Sequence, residues 1–231
     1  RDENTYMVDG INVTDPVTNT FGMNFNYDGI EQVEVLLGGY MPEYQGASGA
    51  VINFVTQSGS NNLVFDASAN YTDGGIAPRR DARFTSDGHQ MAPTDFDSTF
   101  QLVQIASQVS GPIVRDRAWF LLSYQHSRSL IANTGIALPR DFDGHYVLTK
   151  FTMQPNSEHR LTAMAQLNPT AIDNQDQGNA WVKAEAQERQ YQGGIVSQLR
   201  WQWFMSPEIN LDTQVVMQKQ YLEVGSVPCT H

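Results

Sequence analysis

The chain reads YQGGIVSQLRWQW at residues 191–203, a stretch in which apolar and polar side chains take turns. Tyr191 and Leu199 belong to the apolar set, whereas Gln198 and Arg200 belong to the polar set. Successive side chains of a β-strand point to opposite faces of the sheet. The stretch therefore predicts a strand with one apolar face and one polar face.

Six further segments of the chain alternate in the same way, some strongly and some weakly. They are residues 63–71, 100–111, 119–128, 146–153, 161–167 and 209–221. Together they predict about seven strands, each near or above the roughly 9–11 residues of a strand that crosses a membrane. Strands of a soluble β-sandwich also alternate, so the alternation alone leaves both architectures open.

The connections between these segments alternate in length. Residues 111–117, 156–158 and 206–208 make short connections, and residues 74–98, 132–144 and 168–189 make long ones. Outer-membrane barrels have this asymmetry, with tight turns on the periplasmic side and long loops outside the cell. The pattern therefore favours a membrane barrel over a sandwich.

Aromatic side chains cluster at the two ends of the predicted strands. Trp201, Trp203, Phe204, Trp119 and Phe120 adjoin short turns, and Tyr71, Tyr146, Tyr191 and Tyr221 adjoin long loops. Tyrosine and tryptophan favour the two interfaces of a bilayer. Ten residues of about 3.3 Å each, tilted by about 40°, span roughly 25 Å, which is the height of the apolar band of such a barrel.

Composition excludes several classes of protein. The net charge of −11 and the scattered distribution of 14 Lys and Arg residues argue against nucleic acid as a partner. No apolar run approaches the roughly 20 residues of a spanning helix, which excludes a helical membrane protein. Cys229 is the single cysteine, either a free thiol or half of a disulfide with a partner after His231.

The sequence gives no reason to predict catalysis or a cofactor. No nucleophile elbow of the Gly-x-Ser-x-Gly type is present. The five histidines are not spaced as metal ligands, so no metal site is predicted. They are His89, His126, His145, His159 and His231. Residues 173–178, DNQDQG, are similar to an acidic calcium loop but lack its alternating ligand positions and its later glutamate.

Residues 1–57 differ from the rest of the chain in composition and in the length of their strand-like runs. Short strand-like runs are separated there by segments rich in Gly, Asn, Asp and Pro, and residues 58–62, SGSNN, have the composition of a flexible turn. We therefore predict two domains, 1–57 and 62–231. The fold class is mainly β: a small mixed domain followed by about seven antiparallel strands of an incomplete barrel.

Motifs in residues 1–57 resemble those of the plug domain of TonB-dependent outer-membrane receptors. Residues 6–11, YMVDGI, resemble the family's Tyr-x-x-Asp-Gly turn, and residues 30–38, IEQVEVLLG, its Ile-Glu-x-Val-Glu-Val-x-x-Gly segment. Residues 44–46, YQG, and 49–56, GAVINFVT, are similar to the end of the plug. Residues 111–117, GPIVRDR, look like a turn of the branch related to Oar proteins.

This resemblance implies a transporter in the outer membrane of a Gram-negative cell that binds a large solute outside and imports it through a plugged β-barrel. The solute would be a metal chelate, an oligosaccharide or a peptide. Its partners would be the lipid bilayer and the inner-membrane TonB energy-coupling complex, the latter through a region before Arg1. The resemblance also places Tyr40, Met41, Tyr44 and Gln45 at a plug apex facing the outer vestibule, where we expect them to contact the solute.

The sequence leads to two further expectations and leaves two alternative functions open. The long loop that contains Arg79, Arg80, Arg83 and His89 could grip an anionic ligand or be a solvated surface. We expect the chain to be an internal piece of a longer protein, because it lacks an initiator Met and has too few strands to close a barrel. One alternative function is a soluble or surface β-sandwich that binds or adheres, and another is an outer-membrane barrel for signalling or secretion.

Overall fold

Two β-sheets contain the strands of the part of the chain that the structure describes. The computed structural model describes residues 4–15, 21–24, 26–38, 49–74, 99–132, 138–174 and 187–226. The strands are β1 (Thr5–Val8), β2 (Ile11–Asn12), β3 (Ile30–Leu36), β4 (Val51–Thr56), β5 (Val64–Asp73), β6 (Thr99–Val114), β7 (Ala118–Ala132), β8 (Arg140–Met153), β9 (His159–Leu167), β10 (Thr170–Asp173), β11 (Glu188–Ser206) and β12 (Ile209–Ser226). None of the helical segments in these ranges is both long and apolar enough to cross a membrane.

The first sheet is small and mixed, with the strand order β2-β1-β4-β3. β1 is parallel to β4, and the other two pairs are antiparallel. β1 and β2 are joined by Asp9 and Gly10, whose φ angles of 48° and 82° are left-handed. Asp-Gly suits such a tight hairpin turn, because both residues tolerate positive φ. We call this sheet, with the residues that connect its strands, the plug sheet, after the domain that its motifs resemble.

The second sheet is antiparallel throughout and runs in the order β12-β11-β9-β8-β7-β6-β5. Short β10 extends β9 and lies between β8 and β11. We call it the wall sheet. It confirms the mainly β fold class and the seven predicted strands, several of which are longer than the sequence pattern indicates: β11 has 19 residues and β12 has 18.

Pro169 divides one strand of the wall sheet into β9 and β10. The register against β8 is the same on both sides of the break, since Val147 faces Leu167 and Gly144 faces Thr170. Proline has no N–H to donate to the ladder, which explains the interruption. The predicted long loop at residues 168–189 is therefore wrong at its start, because residues 170–173 continue the strand.

The wall sheet has one buried face and one exposed face. On β7, Leu121 and Ser123 are at most 1% exposed, whereas Leu122 between them is 47% exposed. The buried face packs on the plug sheet, and the other face presents large apolar side chains outward. Phe65, Ile105, Leu122, Phe151, Leu199, Val215 and Met217 belong to this outward set. An apolar face that is left exposed is the face a membrane barrel turns to lipid.

Two aromatic residues of the predicted girdles lie elsewhere. Tyr146 is 5% exposed on the buried face of β8, because the strand continues six residues beyond it toward the long loop. Trp119 shares the face of Leu121, and its indole Nε1 donates to Asn61 Oδ1 at 2.8 Å. At the short-turn end, Trp201 and Trp203 do stack on each other, and both rings pack against His159.

Candidate functional site

The interface between the plug sheet and the wall sheet is the candidate functional site. Its apolar part joins four buried residues of each side into one cluster. The plug contributes Val8, Ile11, Val13 and Met23, and the wall contributes Leu121, Leu148, Met164 and Val196. The four wall residues interrupt a face that the sequence predicts to be polar. Their contact with the plug explains why apolar residues stand there.

A buried ion pair lies beside this cluster. Lys150 Nζ of β8 is 3.2 Å from Asp9 Oδ2 in the β1–β2 turn. The side chains are 9% and 10% exposed, respectively. Moving either charge out of water costs several kcal/mol, so the pair is stable only when further hydrogen bonds surround it.

Thr56, the last residue of β4, supplies these hydrogen bonds. Its backbone N–H and its hydroxyl donate to the two carboxylate oxygens of Asp9, at 2.9 and 2.5 Å. Lys150 in turn donates to the Thr56 carbonyl at 3.2 Å and lies 3.0 Å from its Oγ1. Gln198 Nε2 of β11 reaches the Asp9 carbonyl at 3.4 Å. We call Asp9, Thr56 and Lys150 the plug latch.

The local sequence explains the position of the Asp9 carboxylate. The left-handed turn at Asp9 and Gly10 reverses the chain after β1, and the Gly10 N–H donates to Asn53 Oδ1 at 3.1 Å. β1 and β4 are parallel neighbours, so the end of β1 lies beside Thr56 at the end of β4. A single motif, Asp-Gly after a strand, thus directs the carboxylate toward the wall.

Other polar contacts join the plug to the wall. Asn26 Nδ2 donates to Ser123 Oγ at 2.6 Å, and both residues are at most 1% exposed. Asn24 Nδ2 donates to Thr170 Oγ1 at 3.1 Å, and Gln166 Nε2 donates to the Asn24 carbonyl at 3.3 Å. Most contacts of this kind are neutral amides and hydroxyls, which water can also satisfy.

The linker between the sheets is fixed at the short-turn end of the wall. Asn61 Nδ2 donates to Asp116 Oδ1 at 2.6 Å, and Asp116 N–H donates back to Asn61 Oδ1 at 2.9 Å. A Cβ at Gly59 would lie 2.4 Å from the Phe120 carbonyl oxygen, so only glycine fits this close approach. The plug therefore enters the wall sheet from the side of its short turns.

Two of the cavities along the plug–wall interface lie toward opposite ends of the wall sheet. The one on the long-loop side is lined by plug residues 21–24 and by Asn168, Gln190 and Gln192 of the wall. The one on the short-turn side contains the plug latch together with Arg160 and Arg200. The first cavity is lined mainly by neutral residues, several of them amides, together with Phe21, Tyr221 and one acidic residue, Asp15, whereas the second contains several charged side chains.

The polar side chains of Arg200 and Gln202 on β11 face inward but pair mainly within the wall. Arg200 Nε donates to both carboxylate oxygens of Asp212 on β12, at 2.9 and 3.0 Å, and Gln202 Nε2 donates to the same carboxylate at 3.2 Å. Asp66 lines a cavity shared with Asp28 of the plug. The polar face that the alternation predicts for β11 thus points toward the plug sheet.

The predicted solute-contact residues are outside the described part of the chain. These are Tyr40, Met41, Tyr44 and Gln45, and the same holds for Arg79, Arg80, Arg83, His89 and Cys229. Asp173, the first residue of the DNQDQG segment, forms a two-point ion pair with Arg189, which includes an Nη2 to Oδ2 contact of 2.7 Å. A guanidinium therefore occupies the first oxygen ligands that a calcium ion would need there.

Sequence reasoning missed the plug latch. Thr56 and Asp9 fall inside quoted motifs, and Lys150 falls in a predicted strand, but the pairing of the two sheets joins residues 141 positions apart. The one available signal is a lysine in the middle of a barrel strand, at a position whose neighbours Leu148 and Thr152 share its face.

Comparison with known proteins identifies relatives of the chain. No family model matches it. The curated TonB-dependent transporter Oar of Myxococcus xanthus is 34% identical over 140 residues, which is 56% of this chain and 13% of that protein. The chain thus spans about an eighth of the length of that relative.

Several solved structures have a fold similar to that of this chain. The siderophore receptor PirA of Acinetobacter baumannii has a TM-score of 0.63 at 15% identity, covering 94% of this chain and 31% of that one. The copper transporter OprC has a TM-score of 0.55 at 9% identity, covering 96% and 39%. The siderophore receptor PiuA of A. baumannii has a TM-score of 0.51 at 13% identity, covering 97% and 39%.

Proposed function

Since the chain belongs to the TonB-dependent receptors by its sequence and its fold, we propose that it forms part of the plug and part of the wall of a transporter that imports a large solute. We assign residues 1–57 to the end of the plug domain and residues 62–231 to the first strands of the barrel. The wall spans the outer membrane, and the TonB complex of the inner membrane supplies the energy.

The two faces of the wall sheet support this assignment. The outward face carries exposed apolar residues such as Leu199 and Val215, which suit lipid. The inward face carries polar residues and the apolar patch that the plug covers. A soluble β-sandwich would leave the outward apolar residues in water, which argues against that alternative.

The plug latch is the observation that carries the proposal. A plug that must move needs contacts that hold it at rest and that water can replace when it leaves. Each neutral hydrogen bond contributes only about 0.5–1.5 kcal/mol net, because water takes over the lost partner. Two charges 4 Å apart attract by only about 1 kcal/mol in water, so the ion pair of Asp9 and Lys150 also loses most of its strength once hydrated.

The order of contacts along the lumen suggests a route. A solute arriving from the long-loop side first meets the cavity at Phe21 and Gln192, and the plug latch lies nearer the short turns. Opening the latch would free β1 and β4 from the wall on the side from which a periplasmic partner pulls. We propose that Tyr40, Met41, Tyr44 and Gln45 bind the solute on the outer side.

The amide-rich cavity favours a polar solute that accepts and donates hydrogen bonds. A metal chelate, an oligosaccharide and a peptide all meet this description, and we propose one of these classes as the cargo. A signalling or secretion role shares the same barrel and differs in direction and partner, so an import measurement separates it from the transporter.

The test is an uptake measurement in the native host. A strain that lacks the full-length gene is compared with the same strain carrying it, using labelled metal chelates, oligosaccharides and peptides. We expect one class to accumulate only when the gene is present, and accumulation to stop when a protonophore removes the inner-membrane energy source. Equal uptake of all classes in both strains would overturn the transporter assignment.

A further inference from the structure

Three potential metal ligands meet on the outward face of the wall sheet, away from the plug. His126 of β7 and Asp143 and His145 of β8 each present one ligand atom, and the three atoms lie within 4.8 Å of one another. Asp143 Oδ1 is 3.3 Å from His126 Nε2 and 3.2 Å from His145 Nε2. The side chains are 27%, 39% and 47% exposed in the order His126, Asp143, His145, so water and ions reach them.

The strand register brings the three residues together. His126 and His145 are directly opposite each other on the antiparallel strands β7 and β8. The backbone N–H of His145 donates to Pro169 on the other neighbouring strand, so His126 and His145 form the closer, non-hydrogen-bonded kind of pair, with Cα atoms about 4.5 Å apart. Their rings stack with centroids 4.7 Å apart and an interplanar angle of 13°. Asp143 follows on the same face two residues away.

Neighbouring side chains leave these ligand atoms available. The Tyr124 hydroxyl is 2.8 Å from His145 Nδ1. When that nitrogen carries the proton and donates it to the tyrosine oxygen, Nε2 is the free ligand atom, which is how outer partners orient metal-binding histidines. Arg128 binds Asp141 with two hydrogen bonds, at 3.1 and 2.7 Å, so its guanidinium engages Asp141 rather than Asp143.

We propose that His126, Asp143 and His145 bind one divalent transition-metal ion, with Zn²⁺ as the best fit and a water molecule as the fourth ligand. Metal–ligand distances of about 2.0–2.1 Å place tetrahedral ligands roughly 3.3 Å apart, which matches the two nitrogen–oxygen separations. Two imidazoles and one carboxylate disfavour Ca²⁺ and Mg²⁺, which take oxygen ligands, and Cu²⁺ should compete with Zn²⁺.

The position of the cluster makes a metal accessible without involving the lumen. Toward the short turns this face carries Phe120, Leu122 and Phe151, and toward the long loops it carries Arg128 and Asp141. The cluster stands where charged side chains begin on this face. A bound ion would join β7 to β8 on the face opposite to the plug latch, so metal binding and solute import can be measured separately.

The test is Zn²⁺ titration of the purified full-length protein after treatment with a chelator. We expect one bound ion to be lost, or its affinity to fall at least about tenfold, in His126→Gln, Asp143→Asn and His145→Gln. The matched control is His159→Gln, which alters a histidine on the same face that packs on Trp201 and Trp203 instead of facing a carboxylate. Heat-dependent gel mobility checks that each variant is folded.

Two further measurements test the metal site even when a ligand variant fails to fold. Tyr124→Phe keeps all three ligands and should weaken Zn²⁺ binding about 10–100-fold by releasing His145 Nδ1. Cu²⁺ bound to the wild type should give an electron paramagnetic resonance spectrum with coupling to two imidazole nitrogens. Zn²⁺ binding that is the same in the wild type and in all ligand variants, or that falls equally in His159→Gln, would overturn the proposal.

Discussion

Asp9 of the plug and Lys150 of the wall form a buried ion pair at 3.2 Å, although 141 positions separate them in the chain. Thr56 hydrogen-bonds both partners, so three segments of the chain meet at one point.

Lys150→Met should loosen the plug more than a surface change does. Removing one partner of a buried pair leaves an uncompensated carboxylate at Asp9 and costs about 3–5 kcal/mol. Hydrogen exchange of residues 5–12 in the full-length protein measures this as faster exchange. The double variant Asp9→Asn with Lys150→Met should exchange more slowly than the single Lys150→Met, because neither charge remains. Equal exchange in the single and double variants would contradict the account.

Lys219→Met is the matched control for that experiment. Lys219 is on the exposed strand β12, where it is paired opposite Ile195 of β11. Its replacement should leave the exchange of residues 5–12 unchanged.

Leu121→Ala should destabilise the plug–wall interface, and Leu122→Ala should not. The two residues are adjacent on β7, but Leu121 is buried in the shared cluster and Leu122 is 47% exposed on the outward face. A cavity at Leu121 costs about 2–5 kcal/mol, whereas lipid or detergent fills the space at Leu122. Thermal unfolding of the two variants in the same detergent compares them, and equal loss in both would refute the assignment of faces.

How far the sequence predicts this interface depends on the residue. The alternation correctly assigns Leu199 and Arg200 to opposite faces, because one side meets an apolar surrounding and the other a polar one. It does not foresee Leu148 or Val196, whose inward burial depends on the plug and so on a contact distant in sequence. A local pattern records the nearest surroundings of a strand and not its distant partners.

Register is the second feature that sequence patterns do not reveal. His126 and His145 look unrelated in the chain, yet the pairing of β7 with β8 places them opposite each other. The position of Tyr146 is likewise not revealed by the pattern, because its predicted place at the membrane boundary depends on where β8 ends. The strand extends to Arg140, and Tyr146 is buried below that end. The motifs at residues 6–11 and 30–38, by contrast, are local, and the resemblance to TonB-dependent receptors that they predict agrees with the sequence relative and the similar folds.

Gly193→Ala should disturb the wall where Pro169 interrupts its strand. Gly193 has a φ of 147°, and a Cβ there would lie 2.6 Å from the Asn168 carbonyl oxygen. Strain of this kind costs about 1–3 kcal/mol. Gly225→Ala is the control, because Gly225 is in β12 and no atom lies within 4 Å of its Cβ position. Urea titration of the full-length protein should separate the two variants, and equal midpoints would contradict the model of a tight approach at Pro169.

Leu199→Arg should weaken membrane folding more than Tyr191→Arg. Both side chains are on the outward face of β11, 55% and 43% exposed, but Tyr191 is at the long-loop end. An arginine on the lipid face costs about 2–4 kcal/mol at the middle of the bilayer and about 0–1 kcal/mol near its surface. Folding into phospholipid vesicles, followed by guanidinium titration, measures the difference. Equal cost at both positions would argue against a membrane-facing surface.

The central claim is that the plug must leave the plug latch for import to occur. The most direct measurement is solute import by cells that carry the full-length Asp9→Cys/Lys150→Cys variant, with Cys229 replaced by serine. A short cleavable thiol cross-linker joins the two new cysteines, and Asp9→Cys alone and Lys150→Cys alone, in the same background, are the controls. We predict that import stops while the cross-link is intact and resumes after it is cleaved, and that the single variants import throughout. Import at the uncross-linked rate with the cross-link intact would contradict the account.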